Sequence, residues 1–300
     1  MRLTNEYLHM RLSAAGLGRV ANDIIRLSMP SIRMDCRRAS DQTEVPLGGS
    51  RLGGEPDLRS GLNWPAWQGS PMAFIGQVNL ADIAPHDEEG HLPHSGLLSF
   101  FCAIDDTAEE LMPAPDDPFS WMVSHFDGDV AALVRLPRPS ELPERLHYPA
   151  CPASFSREPT LPDAESREIL GLALPDRVRL AYMDFLTGAD GDYAAVMSHR
   201  LLGCPVSLER SPLITGYLKA HGIPDPLEPE VQVVLDGQEW LRTMRDLQHE
   251  AEAEWRLLLQ VYGNDEADMD WGGGVLYFCI PKQALSRREF DRVWVEMQFL

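Results

Sequence analysis

Residues 45–101 read VPLGGSRLGGEPDLRSGLNWPAWQGSPMAFIGQVNLADIAPHDEEGHLPHSGLLSFF, and the fold follows from this stretch. Its opening, from Gly48 to Pro56, carries four glycines and a proline, which excludes helix and bends the backbone at chosen points. Trp64-Pro65 marks a turn. An apolar strand is expected over Met72–Leu80, broken only by the amide of Gln77. A loop follows, then a second strand over Gly96–Cys102.

The chain has 300 residues, enough for one large domain or two small ones, and its 44% hydrophobic content supports a packed core. Acidic residues number 46 against 26 basic ones, a net charge of −20. That balance argues against nucleic acid or an anionic membrane as partner, since both require a positive face. It suits either plain solubility or attraction of a basic protein. Five cysteines (Cys36, Cys102, Cys151, Cys204 and Cys279) stand far apart with no CxxC spacing, so reduced core thiols are expected rather than disulfides or a zinc ribbon. With no apolar leader and no membrane-length run, a soluble cytoplasmic protein is expected.

Outward from the opening stretch, residues 1–30 read as an N-terminal helical segment interrupted at Gly16 and Gly18, and residues 31–300 as one domain. Strands are expected at Ser31–Cys36, Ser120–Phe126 and Val130–Leu136. The proline-punctuated run Pro137–Pro162 reads as irregular surface chain, and Ser211–Pro229 as loop. Helices are expected at Arg177–Leu186 and Val231–Ala253, the latter with Val234, Leu241, Met244, Leu247 and Ala251 on its apolar side. Trp255–Tyr262, Val275–Ile280 and Val293–Phe299 complete the strands.

The order of signals occurs twice. Arg51-Leu52-Gly53-Gly54-Glu55-Pro56, a strand holding Gln77 and the run Gly96–Phe101 have counterparts in Arg200-Leu201-Leu202-Gly203-Cys204-Pro205, a strand holding Gln260 and the run Gly274–Phe278. A helical insertion separates the second set. This predicts an α+β fold: a large, mainly antiparallel or mixed sheet from two pseudo-duplicated units, about 45–136 and 193–300, with flanking helices and long Pro-rich loops. A glutamine in an apolar strand must be hydrogen-bonded if buried. Gln77 and Gln260 therefore either satisfy bent backbone near their own glycine turns or face a shared cleft. Arg51 and Arg200 either pair with a local carboxylate or offer a fork to an anionic partner. Trp64 and Trp67 either plug turns or form part of a contact surface.

These residues resemble the YwqG-like family of bacterial proteins of unknown function. The motifs are Ser50–Leu58, Trp64-Pro65, Phe74–Leu80, Leu92-Pro93, Gly96–Phe101, His199–Gly203 and the end from Trp255 through Trp294. Arg51 departs from the lysine more usual there. The resemblance implies a compact α+β protein with a large, mainly antiparallel sheet and brings no catalytic residues with it. It also implies an immunity-type role, because relatives occur near polymorphic toxin genes.

Other chemistry finds little footing. His86–His94 holds three histidines and three carboxylates, but at no standard metal spacing. Asp265, Glu266, Asp268 and Asp270 lack the glycine and terminal glutamate of a calcium loop. Gly48–Gly54 lacks the lysine of a P-loop, and neither G-x-S-x-G nor HExxH occurs. The expectation is a binding protein without metal or cofactor that sequesters a basic or toxin-like protein partner. The alternative is a small-molecule binder or enzyme with Arg51, Gln77, Arg200, Gln260, Trp64 and Trp67 at its site. Oligomeric state is left open.

Overall fold

Gly53 and Gly54 hold φ angles of +58° and +76°, and they turn the chain sharply out of the two-residue strand Arg51–Leu52. A Cβ on Gly53 would stand 2.3 Å from the Pro149 carbonyl oxygen. Gly53→Ala is therefore expected to cost about 2 kcal/mol or more in denaturant unfolding, from a clash with backbone added to a strained φ. A loss under half a kcal/mol would show that the corner yields.

The computed structural model describes residues 4–39, 45–105, 112–113, 117–188, 198–227, 237–263, 266–269 and 271–299. Ten strands form one antiparallel sheet: β1 (Met29–Cys36), β2 (Arg51–Leu52), β3 (Ala73–Asn79), β4 (Leu97–Cys102), β5 (Trp121–Phe126), β6 (Cys151–Thr160), β7 (His199–Leu201), β8 (Trp255–Tyr262), β9 (Val275–Pro281) and β10 (Trp294–Gln298). Their spatial order is β5-β4-β3-β2-β6-β1-β7-β8-β9-β10. The helices are α1 (Asn5–Ala14), α2 (Ala21–Arg26), α3 (Leu80–Ile83), α4 (Arg167–Gly171), α5 (Asp176–Leu186), α6 (Leu213–His221), α7 (Gly237–Glu254) and α8 (Lys282–Ser286).

The sheet curls until it is nearly a barrel, with its two edges, β5 and β10, brought together by side chains. The Trp121 indole donates to the Val293 carbonyl at 2.8 Å, and its ring meets Trp294 edge to face at 4.9 Å. Alternation then sorts each strand. In β9, Leu276, Phe278 and Ile280 point into the main core, while Val275, Tyr277 and Cys279 pack outward against α6 and α7. Phe100 of β4 meets Phe278 of β9 across the interior at 5.0 Å. A separate apolar cluster joins α1 and α2 to α4 and α5 around Leu12, Ile24, Ile169 and Tyr182.

Two expectations are corrected here. The proline-rich run 137–162 is not irregular throughout, because its last third is β6, a ten-residue strand in the middle of the sheet. Its prolines fit because the ladder does not need their nitrogens. Pro159 lies beyond the reach of β2, which pairs with β6 only at Cys151 and Pro152, and at Pro152 the contact with the chain after β1 is carried by the Arg37 N–H, which donates to the Pro152 carbonyl at 3.3 Å. Ser211–Pro229 is not all loop either. Leu213, Ile214, Tyr217 and Leu218 bury one face of α6. Gly222, at φ +63°, closes that helix, with the Ile223 N–H donating to the Leu218 carbonyl.

Candidate functional site

The two glycine corners share one bonding pattern. Arg51 pairs across the ladder with Gln77, and Arg200 with Gln260. Gln77 Nε2 donates to the Gly49 carbonyl at 2.9 Å, and Gln260 Nε2 to the Ser198 carbonyl at 3.2 Å, each two residues before its arginine. Gln77 Oε1 accepts the Asp57 N–H and Gln260 Oε1 the Val206 N–H, both at 3.0 Å and six residues after the arginine. Leu202 and Gly203 repeat the positive φ of Gly53 and Gly54, at +60° and +74°. The ladder shifts register at Ile75 in β3 and at Leu258 in β8, each two residues before its glutamine.

Both glutamines are wholly buried, so these amides satisfy bent backbone, the first of the two roles open to them from sequence. The arginines differ in their anions. Arg51, 1% exposed, donates to Asp57 Oδ2 at 2.9 Å, and Arg135 reaches Oδ1 of the same carboxylate at 2.8 Å. The Gly48 N–H and Gln77 Nε2 also bond Oδ2. At the second corner Val206 stands in the place of Asp57. There Arg200 donates to Ser198 Oγ at 2.5 Å and lies 3.6 Å from Glu158, which Arg33 approaches from the other side at 3.5 Å. Strands β6 and β1 lie between the corners, so the four side chains form two separate sites rather than one.

Trp64 and Trp67 bond the residues of neither corner. The Trp64 indole donates to the Met72 carbonyl, and that of Trp67 to Asp117 Oδ2. Both pack on a small cluster around Leu58, Phe74 and Phe101. In the histidine-rich loop, Asp87 Oδ2 accepts the Leu92 N–H at 2.7 Å, which closes a turn. Of the acidic run before Trp271, Glu266 and Asp268 both bond Arg38, whereas Asp265 and Asp270 lie outside the described residues.

The concavity in the described structure lies elsewhere. A cleft of about 590 Å³ opens between α1, the chain after β6, α5, the segment after the second corner, and α7. Of the sequence candidates only Arg200 reaches its wall. The apolar surface comes largely from helices: Leu8 from α1, Leu180 and Met183 from α5, Ile214 from α6, and Trp240, Leu241 and Met244 from α7. Leu241 was expected on the packed side of its helix but is 64% exposed. The start of α7 overhangs the cleft, whereas Leu247 and Ala251 farther along are buried in the cluster on the sheet, with Met244 packed at its margin. Val234, the other end of that expected stripe, lies outside the described residues.

Charged groups pin these helices together. Arg245 of α7 donates twice to Glu165 Oε2, at 3.0 and 2.8 Å, and Arg179 of α5 pairs with Oε1 of the same carboxylate. His249 Nε2 lies 3.0 Å from the Glu165 carbonyl oxygen, and the Tyr182 hydroxyl donates to Pro162. Deeper in, Gln248 Nε2 donates to Glu252 Oε1 at 2.9 Å. Burial raises the Asp163 carboxyl above its ordinary range against the hydrogen bonds from Gln248 and Ser207. Burial likewise lifts Glu252 to about 7, with Asp163 and Glu168 adding repulsion.

Because Glu252 holds its proton more tightly folded than unfolded, its stabilising form is the neutral one. Stability from this group is full below about 4.5 and declines as pH rises toward 7. Glu252→Gln is expected to flatten the melting temperature between those values. An unchanged slope would remove the group from the pH response.

Apart from Arg200, Cys204 and Pro205 of the second corner, the cleft residues carried no motif. Arg179, Arg245 and Glu165 belong to different elements, and their only trace in the sequence is the amphipathic pattern of α5 and α7. A profile for a family described as a domain of unknown function (DUF1963) matches residues 50–298. No curated protein gives a match.

Proposed function

The chain belongs to the family described as a domain of unknown function (DUF1963), and from that footing we propose that it is a binding protein whose working site is the cleft between α1, α5 and α7. The carrying observation is the cleft itself. Its volume of about 590 Å³ and its apolar helical walls, with a few charged groups converging, have the form of a small-molecule site. Titration of the intact protein with Nile red, a neutral apolar reporter, tests this. One molecule is expected to bind per chain. Met244→Glu should abolish binding, whereas Phe119→Asp, at a residue 78% exposed outside the cleft lining, should not. Equal binding by both variants would overturn the proposal.

A second proposal, sequestration of a protein partner in an immunity-type role, is favoured by Leu180, Met183 and Leu241, which are 48%, 41% and 64% exposed around the cleft. We further propose that the chain is one of the YwqG-like bacterial proteins, and that its domain arose by duplication, the repeats expected over about 45–136 and 193–300 being extended by the leading strands β1 and β6 to units β1–β5 and β6–β10. The matching corners, register shifts and positive-φ pairs support this. So does the strand order, in which each unit's leading strand lies beside the other unit's second strand. On this account α4–α5 and α6–α7 are additions to the second unit, and the binding site is built largely from them. Five free thiols, four of them buried, support placing the protein in the reducing cytoplasm.

A further inference from the structure

We infer that the ligand is an amphipathic anion, an apolar body ending in a carboxylate or phosphate held between Arg179 and Arg245. This rests on the cleft being a binding site and adds the chemistry of what it binds.

The first observation is a reversal of charge. The chain carries −20 overall, yet the described residues lining the cleft include five arginines and three carboxylates. The second is where the surplus lies. Arg210 is matched by Asp225, which it grips with both terminal nitrogens at 2.8 and 2.6 Å. At Glu165 the ratio is different, because two guanidiniums share a single carboxylate, one on each oxygen. Asp176, 3.9 Å from Arg179, is 94% exposed, so solvent screens it and it does little to balance the pair.

A guanidinium presents five N–H donors in a planar fork, and Glu165 occupies only part of each. The remaining donors suit an oxyanion that lies beside both arginines. The third observation is the neighbourhood. Leu180 and Met183 flank Arg179 on α5, and Leu241 and Met244 flank Arg245 on α7. An anionic head at the arginines therefore lays its tail on those four side chains, where burial of apolar surface supplies most of the affinity and the arginines supply discrimination.

The test displaces Nile red from the intact protein with decanoate, decyl phosphate, decanol and inorganic phosphate. Decanoate or decyl phosphate is expected to act at roughly tenfold lower concentration than decanol, with inorganic phosphate inert. The stronger of the two anions identifies the head group, and either supports the inference. Arg245→Gln and Arg179→Gln should each bring the anions down to the level of decanol. Glu165→Gln should move them the other way, widening the gap, a gain that loss of folding cannot imitate. Equal displacement by decanol and the anions in the unmodified protein would overturn the inference and leave the binding site standing. So would a preference for anions that survives both arginine changes. Failure of Nile red to bind would remove the site and this inference with it.

Discussion

Asp57→Ala is expected to destabilise the protein by roughly 3–5 kcal/mol, the largest effect of any single side chain outside the apolar core. The Asp57 side chain is wholly buried and Arg51 is 1% exposed, so removal of the carboxylate strands a guanidinium with no water to receive it. The Gly48 N–H and Gln77 Nε2 lose an acceptor at the same time. The same residue sets an acid limit. Burial alone would raise its pKa, but the bonds from Arg135 and Arg51 outweigh burial and hold it at about 2. A carboxyl depressed in the folded state contributes its stability above the unfolded value, near 3.8, and loses it as pH falls through 2. That contribution is about 2 kcal/mol, at roughly 1.4 kcal/mol per pH unit. Urea unfolding at pH 7 and at pH 2 measures both quantities. Asp57→Asn should lose the acid-dependent part, and an Asp57→Ala loss below about 1 kcal/mol would show that the first corner does not depend on its ion pair.

Gln260→Leu is expected to cost roughly 2–4 kcal/mol. Leucine fills much of the volume but bonds neither the Ser198 carbonyl nor the Val206 N–H, leaving two backbone groups unsatisfied. The segment those bonds hold supplies Cys204, Val206 and Leu208 to the cleft wall, so binding of a neutral reporter should weaken together with stability. Gln77→Leu should cost at least as much, since Gln77 also bonds Asp57. If Gln260→Leu matches the unmodified protein while Gln77→Leu does not, the two corners are not energetic equivalents, however alike their hydrogen bonds.

The corners were legible in the sequence for a plain reason. Glycine pairs, a following proline and a lone amide in an apolar strand act over a few residues, and each has few conformations open to it. Most strands were legible as apolar runs between turn signals, and β1 and β10 also through alternation. β6 was not, because Pro152 and Pro159 argue against a central strand unless the ends of β1 and β2 are known, and those ends are set by pairing with distant segments. α6 was missed because Gly216 interrupts its apolar face, and the space beside that glycine is taken by the Trp255 ring, 2.7 Å from where a Cβ would stand.

The cleft divides in the same way. Arg200 stood out through its motif, but Arg179, Arg245 and Glu165 did not, since an arginine on an amphipathic helix looks the same whether it meets solvent or a shared carboxylate. The order of residues alone was enough for the glycine corners, the presence of a lone amide in each paired strand, most of the strands and the acidic balance of the chain, all of which rest on local backbone preference or on composition, whereas the partners of those amides lie 20 to 62 residues away. Tertiary contact decided that β1 and β6 lie side by side at the centre, that Trp121 and Trp294 draw the edges together, and that two arginines from separate helices meet at one carboxylate. Those outcomes depend on which distant surfaces bury one another, and no local pattern encodes that choice.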